Sequence, residues 1–178
     1  MDSGQHAGER RPGIIRRFVN LVVCIAIVLA AAWGIRSFVI EPFEVPSASM
    51  ETTIMTGDRL FAEKVSYHFS EPKAGDIVVF SDPQVPSRVL VKRIIATEGD
   101  HIRILADGGV EVNGARLQEE YVHDRTDGLV DMTVPRGTVF VMGDNRGESF
   151  DSRNMGAIPC EDLKGKVFFR LFPLGRIR

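Results

Sequence analysis

HIRILADGGVEVNG, residues 101–114, decides the fold class. HIRIL alternates between apolar and polar, ADGG supplies a turn, and VEVNG alternates again. Side chains of a strand point to opposite faces in turn, so this pattern predicts a β-hairpin with one face buried. Its surroundings read the same way. Upstream, Asp76–Phe80 (DIVVF) follows a turn at Lys73-Ala74-Gly75, and Arg88–Thr97 (RVLVKRIIAT) is a longer run rich in β-branched residues. Downstream, Asn113-Gly114 marks a second tight turn before RLQEEYV. Thr138–Met142 (TVFVM) is entered from a Pro135-Arg136-Gly137 turn, and Lys166–Leu171 (KVFFRL) closes the series. No ten-residue stretch beyond position 40 shows a helical period. The expectation is a mainly β domain of short antiparallel strands, barrel-like in arrangement. Residues 119–134 are more polar and are expected as a surface excursion.

The amino-terminal part differs. Residues 1–13 are rich in glycine, charge and polar groups and are expected to be a disordered tail on the cytoplasmic side. From Phe18 to Ile35 no residue is charged and only Asn20 is polar. As a helix that run spans about 27 Å, near the roughly 30 Å of a bilayer's hydrocarbon core. Arg36 and the following SFVI extend it, and Trp33 sits where amphipathic rings prefer to lie. Arg10, Arg11, Arg16 and Arg17 precede the run, whereas Glu41 and Glu44 follow it. The positive-inside bias therefore predicts a single-pass anchor over residues 14–40, with residues 41–178 outside the cytoplasm. Ala30-Ala31-Ala32 also suits a cleavable secretory signal, but the apolar run continues through Trp33 and Phe38 to Ile40. Arg16-Arg17 alone does not make a twin-arginine signal.

The chain's 178 residues suffice for one domain with a core. Its 22 basic and 24 acidic side chains leave a net charge of −2, so no global field draws nucleic acid. Cys24 and Cys160 are isolated, and His6, His68, His101 and His123 are scattered, so neither a disulfide framework nor a metal site is indicated. No cofactor is expected. DNRGES, residues 144–149, is rich in oxygen ligands but lacks the EF-hand spacing and contains an arginine.

Three windows carry possible chemistry. In FEVPSASMETT, Phe43–Thr53, Ser47 and Ser49 lie two apart. In an extended segment both hydroxyls share a side, so one can attack a carbonyl while the other donates to it. The plain alternative is a turn. A serine needs a base, and no histidine has a motif-like setting. A lysine whose pKa burial lowers is the remaining candidate, and Lys92 in VLVKRII fits best. Its plain alternative is an edge-strand lysine that guards against aggregation. The third window is GDNRGESFDSR, residues 143–153, a loop dense in mutually bonding groups.

Taken together, PSASM, VKRII followed by EGD, and GDNRGESFDSR resemble the bacterial type I signal peptidases. The likeness extends to GDRLFAEKVSY, KAGDIVVF and the VNG of the hairpin. The resemblance implies a membrane anchor followed by a largely β peptidase domain that cleaves Ala-x-Ala signal peptides from exported preproteins. It makes Ser49 the nucleophile and Lys92 the general base. Ser47 joins the Ser49 backbone N–H in the oxyanion hole, and Ser149 hydrogen-bonds Lys92. Asp144, Arg146, Asp151 and Arg153 become structural supports, with Asp151 paired to Arg153. Phe43, Val45, Met50, Ile54 and Val91 line the substrate pockets. Implied partners are membrane-held preproteins and the bilayer, without nucleic acid or metal. Thr52 and Glu98 replace prolines usual in the family, with no loss of a catalytic atom. Repressor-type serine–lysine proteases share this chemistry, but nothing before Ile35 forms a helix-turn-helix. The non-enzymatic alternative is a tethered β domain that binds an extracytoplasmic partner.

Overall fold

The computed structural model describes residues 13–38, 40–172 and 175–176, which form two units divided between Ser37 and Phe38. The expected tail, Gly13 excepted, and most of the carboxyl-terminal FPLGRIR lie outside the described residues. In the first unit the apolar run forms helix α1, Ile14–Phe38. Its Ile14–Gly34 portion has a mean hydropathy of 2.3 and is long and apolar enough to cross a membrane. No side chain along that portion is buried.

The second unit begins with strand β1, Ile40–Glu44, so Ile40 pairs with Glu63 instead of ending the apolar helix. Next come β2 (Arg59–Glu63), β3 (Ile77–Ser81), β4 (Val89–Thr97), β5 (His101–Ile104), β6 (Val110–Val112) and β7 (Ala115–Arg116). They are followed by β8 (Val130–Thr133), β9 (Thr138–Met142), β10 (Ile158–Pro159), β11 (Leu163–Phe172) and β12 (Gly175–Arg176). Two short helices, α2 (Ser66–Phe69) and α3 (Ser152–Met155), and two single 3-10 turns complete the described elements.

The strands make two antiparallel sheets. The larger runs β1-β2-β11-β3-β4-β9-β10, with β12 beside β11, and the smaller runs β7-β6-β5-β8. The hairpin that opens the sequence reading is the centre of the smaller sheet, with Ile102 opposite Val112 and Ile104 opposite Val110. Among the described residues, β1 and β10 stand at the two ends of the larger sheet.

β4 organises the domain. It lies between β3 and β9, so Lys92 is on an interior strand and the edge-guard reading fails. Both of its faces are covered, and Val91 to Ala96 are all buried. Val91 packs with Val45, Met50, Ile54 and Val79. Ile94 packs with Val78, Phe80 and Val141. Past an irregularity between Ile94 and Ala96, Ile95 and Ala96 meet Ile102, Ile104 and Val110 of the smaller sheet. Three apolar clusters thus meet along one strand, and the charged pair Lys92-Arg93 sits where the first two adjoin.

Residues 119–134 are not a simple excursion. Val130–Thr133 is β8, an outer strand paired with β5, and Thr126 is buried. The exposed Asp131 and Thr133 of β8 disguise the strand as polar loop.

Candidate active site

Ser49 is carried by a 3-10 turn, Ala48–Met50, closed by the Glu51 N–H donating to the Ala48 carbonyl at 3.0 Å. The segment is therefore not extended through Ser49, as the two-residue spacing suggests. Ser47 keeps extended backbone in front of the turn, and its Oγ still reaches Ser49 Oγ at 3.4 Å. Met50 and Ile54, both fully buried, pin the turn to the core.

Lys92 reaches this turn from β4. Its Nζ donates to Ser49 Oγ at 2.5 Å and to the Val91 carbonyl at 3.1 Å. The lysine is 1% exposed and Ser49 is 6% exposed. Burial is the main influence on the amine, and it lowers the pKa from 10.5 to about 8. Asp151 and Asp144 oppose that shift, while Arg153 and Arg88 assist it. An amine near neutrality, within hydrogen-bond reach of a hydroxyl, can take its proton.

The loop of residues 143–153 braces both groups. The Asn145 N–H donates to the Ser49 carbonyl at 3.2 Å, and its side-chain amide donates to the Ala48 carbonyl at 3.1 Å. Asp144 accepts both forks of the Arg93 guanidinium at 2.9 and 2.8 Å, and the Thr53 hydroxyl at 2.5 Å. Asp151 accepts from Arg153 Nε at 2.8 Å and from the Gly143 N–H at 3.0 Å. Burial alone would raise the Asp151 pKa, but these donors outweigh it and hold the carboxyl below its ordinary value. Asp151 also caps α3, accepting from the Arg153 N–H while Asn154 reaches back to the Asp151 N–H. Gly143 has no room for a side chain, because a Cβ there would overlap both Ser149 Oγ and the Ser49 carbonyl oxygen.

Ser149 Oγ, Met50 and Ile54 are all buried. The lysine's described bonds go to Ser49 and Val91, while the buried Ser149 Oγ makes no well-formed hydrogen bond and acts on the Asp151 carboxylate, helping to lower its pKa. Of the expected pocket residues, Phe43, Val45, Met50, Ile54 and Val91 do gather in one cluster. Met50 and Ile54, however, are 0% exposed and offer no surface to a ligand in this state.

Sequence reasoning missed the partners of two arginines. Arg146 is bound by Glu119, with contacts of 2.5 and 3.1 Å, and by the Thr126 hydroxyl at 2.6 Å. Arg93 lies 4.0 Å from the centroid of the Tyr121 ring. Glu119, Tyr121 and Thr126 stand in a polar stretch with no local pattern to single them out.

A serine hydroxyl held by a buried lysine amine, in a mainly antiparallel β domain, is the arrangement of the serine–lysine class of peptidases. Residues 18–172 match the family of signal peptidases, peptidase S26, and the chain belongs to that family. It is 40% identical over 153 residues to thylakoidal processing peptidase 1 of Arabidopsis thaliana, covering 80% of this chain and 45% of that one. It is 42% identical over 163 residues to probable signal peptidase I-1 of Synechocystis, covering 87% and 82%. Signal peptidase I P of Bacillus subtilis subsp. natto is 36% identical over 172 residues, covering 90% and 92%. The chain thus spans less than half the length of the chloroplast relative but most of the bacterial ones.

Proposed function

We propose that this chain is a membrane-anchored type I signal peptidase that removes Ala-x-Ala signal peptides from exported preproteins through an acyl-enzyme on Ser49. The observation that carries the reading is the buried Lys92 Nζ, 2.5 Å from Ser49 Oγ, with a pKa lowered to about 8. In the active form Lys92 is neutral. It takes the Ser49 proton as Oγ attacks the carbonyl of the residue before the cut, then passes that proton to the departing amine. The Ser47 hydroxyl turns from Ser49 Oγ to the developing oxyanion and acts there with the Ser49 N–H. One such donor is worth about 3–4 kcal/mol. Water deprotonated by Lys92 then attacks the ester and frees Ser49. The buried Ser149 hydroxyl, which packs with the Ser49 carbonyl against Gly143, is available to orient the lysine once Ser49 is acylated. Asp144, Arg146, Asp151 and Arg153 hold the loop behind these groups. Half-buried Phe43, packed on the buried cluster of Val45, Met50, Ile54 and Val91, would border a pocket for small side chains.

Helix α1 anchors the enzyme in the cytoplasmic membrane, with the arginine-rich amino terminus inside and the β domain outside. Substrates held in the same bilayer meet the site at raised effective concentration, so weak intrinsic affinity suffices.

The test is incubation of a detergent-solubilised preprotein with the full chain and with Ser49→Ala, mapping the new amino terminus. The wild type is expected to cut after Ala-x-Ala, and Ser49→Ala to lose at least about a thousandfold in rate. Processing by Ser49→Ala would rule the mechanism out. Because the lysine must be neutral, activity rises with pH and levels off above about 8. A rate independent of pH between 6 and 9 would remove Lys92 as the base.

A further inference from the structure

The residues between Glu119 and Asp127 bind the site from outside at four points. The Tyr121 ring covers the Arg93 guanidinium at 4.0 Å, a cation–π contact on a group whose forks both go to Asp144. The Tyr121 hydroxyl donates to Glu119 at 2.9 Å, and that same carboxylate accepts from Arg146. Arg146 in turn donates through Nε to the Gly143 carbonyl at 3.0 Å. The Tyr121 carbonyl accepts from Thr52 at 3.3 Å, and the Asp127 carbonyl accepts from Arg153 at 3.2 Å. Two buried arginines are therefore each bound on one side by this segment and on the other by the loop that holds Ser49 and faces Lys92.

We propose that residues 119–127 are a positioning strap for the Ser49–Lys92 pair, with Tyr121 and Glu119 acting through Arg93 and Arg146. The inference rests on the peptidase reading above. Each connection has a physical consequence. Arg93 lies beside Lys92 in sequence, and its salt bridge neutralises Asp144, one of the carboxylates that favour the charged lysine. Without the Tyr121 ring, water reaches the guanidinium and the Arg93–Asp144 pair loosens. Asp144 then acts on Lys92 with less compensation, and Thr53 loses a fixed acceptor just beyond the Ser49 turn. Glu119 does the same for Gly143, whose Cα packs against the Ser49 carbonyl. The charged groups facing Lys92 are Asp151 and Asp144, and Arg153 and Arg88, so a change confined to the Arg93–Asp144 pair has a defined direction. It moves the acidic limb of the activity profile upward.

The experiment measures the single-turnover rate of cleavage of a signal-peptide substrate against pH, in the detergent-solubilised full chain, alongside Tm. Tyr121→Leu is expected to slow cleavage about tenfold at pH 7.5 and to raise the apparent pKa by roughly half a unit. Tyr121→Phe keeps the ring over Arg93 and is expected to recover most of the rate and the wild-type pKa. Tyr121→Leu matching wild type in rate and pKa would overturn the strap. So would a fall in rate and Tm with the apparent pKa unmoved, or a loss that Tyr121→Phe does not repair, since either marks a purely structural tyrosine. Wild type that leaves the substrate uncut, or cleavage unchanged after Ser49→Ala, would sink the peptidase reading and the strap with it. Cleavage that requires Ser49 keeps the two failures apart.

Discussion

The site and the smaller sheet handle charge in opposite ways. Around Ser49, Lys92, Arg93, Asp144, Arg146 and Asp151 are all buried, and each is tied to a named partner. In the β7-β6-β5-β8 sheet, buried positions are apolar, and Arg103, Asp131 and Glu111 meet at the surface. The second pattern is what stability alone favours, because a desolvated charge costs more than its pairing returns unless every bond is made. The first is tolerable only where the charges are needed. The difference can be broken from either side.

The largest effect is expected from Lys92→Met. It removes the proposed base, so acylation of Ser49 should fall by about 10³-fold or more. It also replaces a buried amine by an apolar chain of similar length and should raise stability. The sign follows from the lowered pKa. Below about pH 8 the lysine is charged in both folded and unfolded chains, and the folded state bears the whole burial cost. Between about 8 and 10.5 only the unfolded chain keeps the charge, so the cost fades as pH rises. The expected gain, on the order of 2–3 kcal/mol below pH 8, should vanish toward pH 10.5. Denaturant melts at pH 6.5 and 10 check it, and a destabilised Lys92→Met would show that the lysine's bonds outweigh its burial.

Gly143→Ala comes next. The new methyl would overlap a backbone oxygen, that of Ser49, and the serine turn must shift to admit it. A displacement of that kind costs about a hundredfold in rate. Acylation kinetics on a variant with unchanged affinity for a substrate peptide would locate the loss in the chemical step.

How much of this could be read from the chain depends on where each partner lies. The hairpin of residues 101–114 was legible because both its strands and its turn are local. Ser49 and Lys92 were legible as residue types: two serines in a turn-like window, and a lysine alone among β-branched neighbours. What no window holds is a bond such as Glu119–Arg146, made across the fold between two polar segments. β2 escaped for a related reason. In RLFAE only Leu60 and Ala62 are fully buried, and charged residues end the strand, so the period-2 signal is short. The depth of Met50 and Ile54 was equally unreadable, since an apolar residue beside a serine can line a pocket or floor it.

In the smaller sheet the expectations invert. Ile102→Ala leaves a cavity among Ile95, Ile104, Val110 and Phe140 and should cost about 2–4 kcal/mol of stability. Acylation per folded molecule should stay within about twofold of wild type, since no bond runs from Ile102 to the serine turn. Loss of activity beyond the loss of folded protein would show that this core, too, sets the geometry of Ser49.

The smallest effect belongs to Asp131→Asn. Asp131 contacts Arg103 at 3.3 Å and His101 at 2.9 Å, but its side chain is 65% exposed. Water and salt screen such pairs, and holding long side chains in one geometry costs entropy, so the change should stay within about 0.5 kcal/mol. The contrast with Asp151 lies in surroundings, since both are aspartates bonded to arginine. Asp151 is 0% exposed and accepts the Gly143 N–H beside Ser49, so an asparagine there should lower both stability and rate. Equal, negligible effects at positions 131 and 151, measured by Tm and acylation rate in the same buffer, would mean that burial does not separate the two regions.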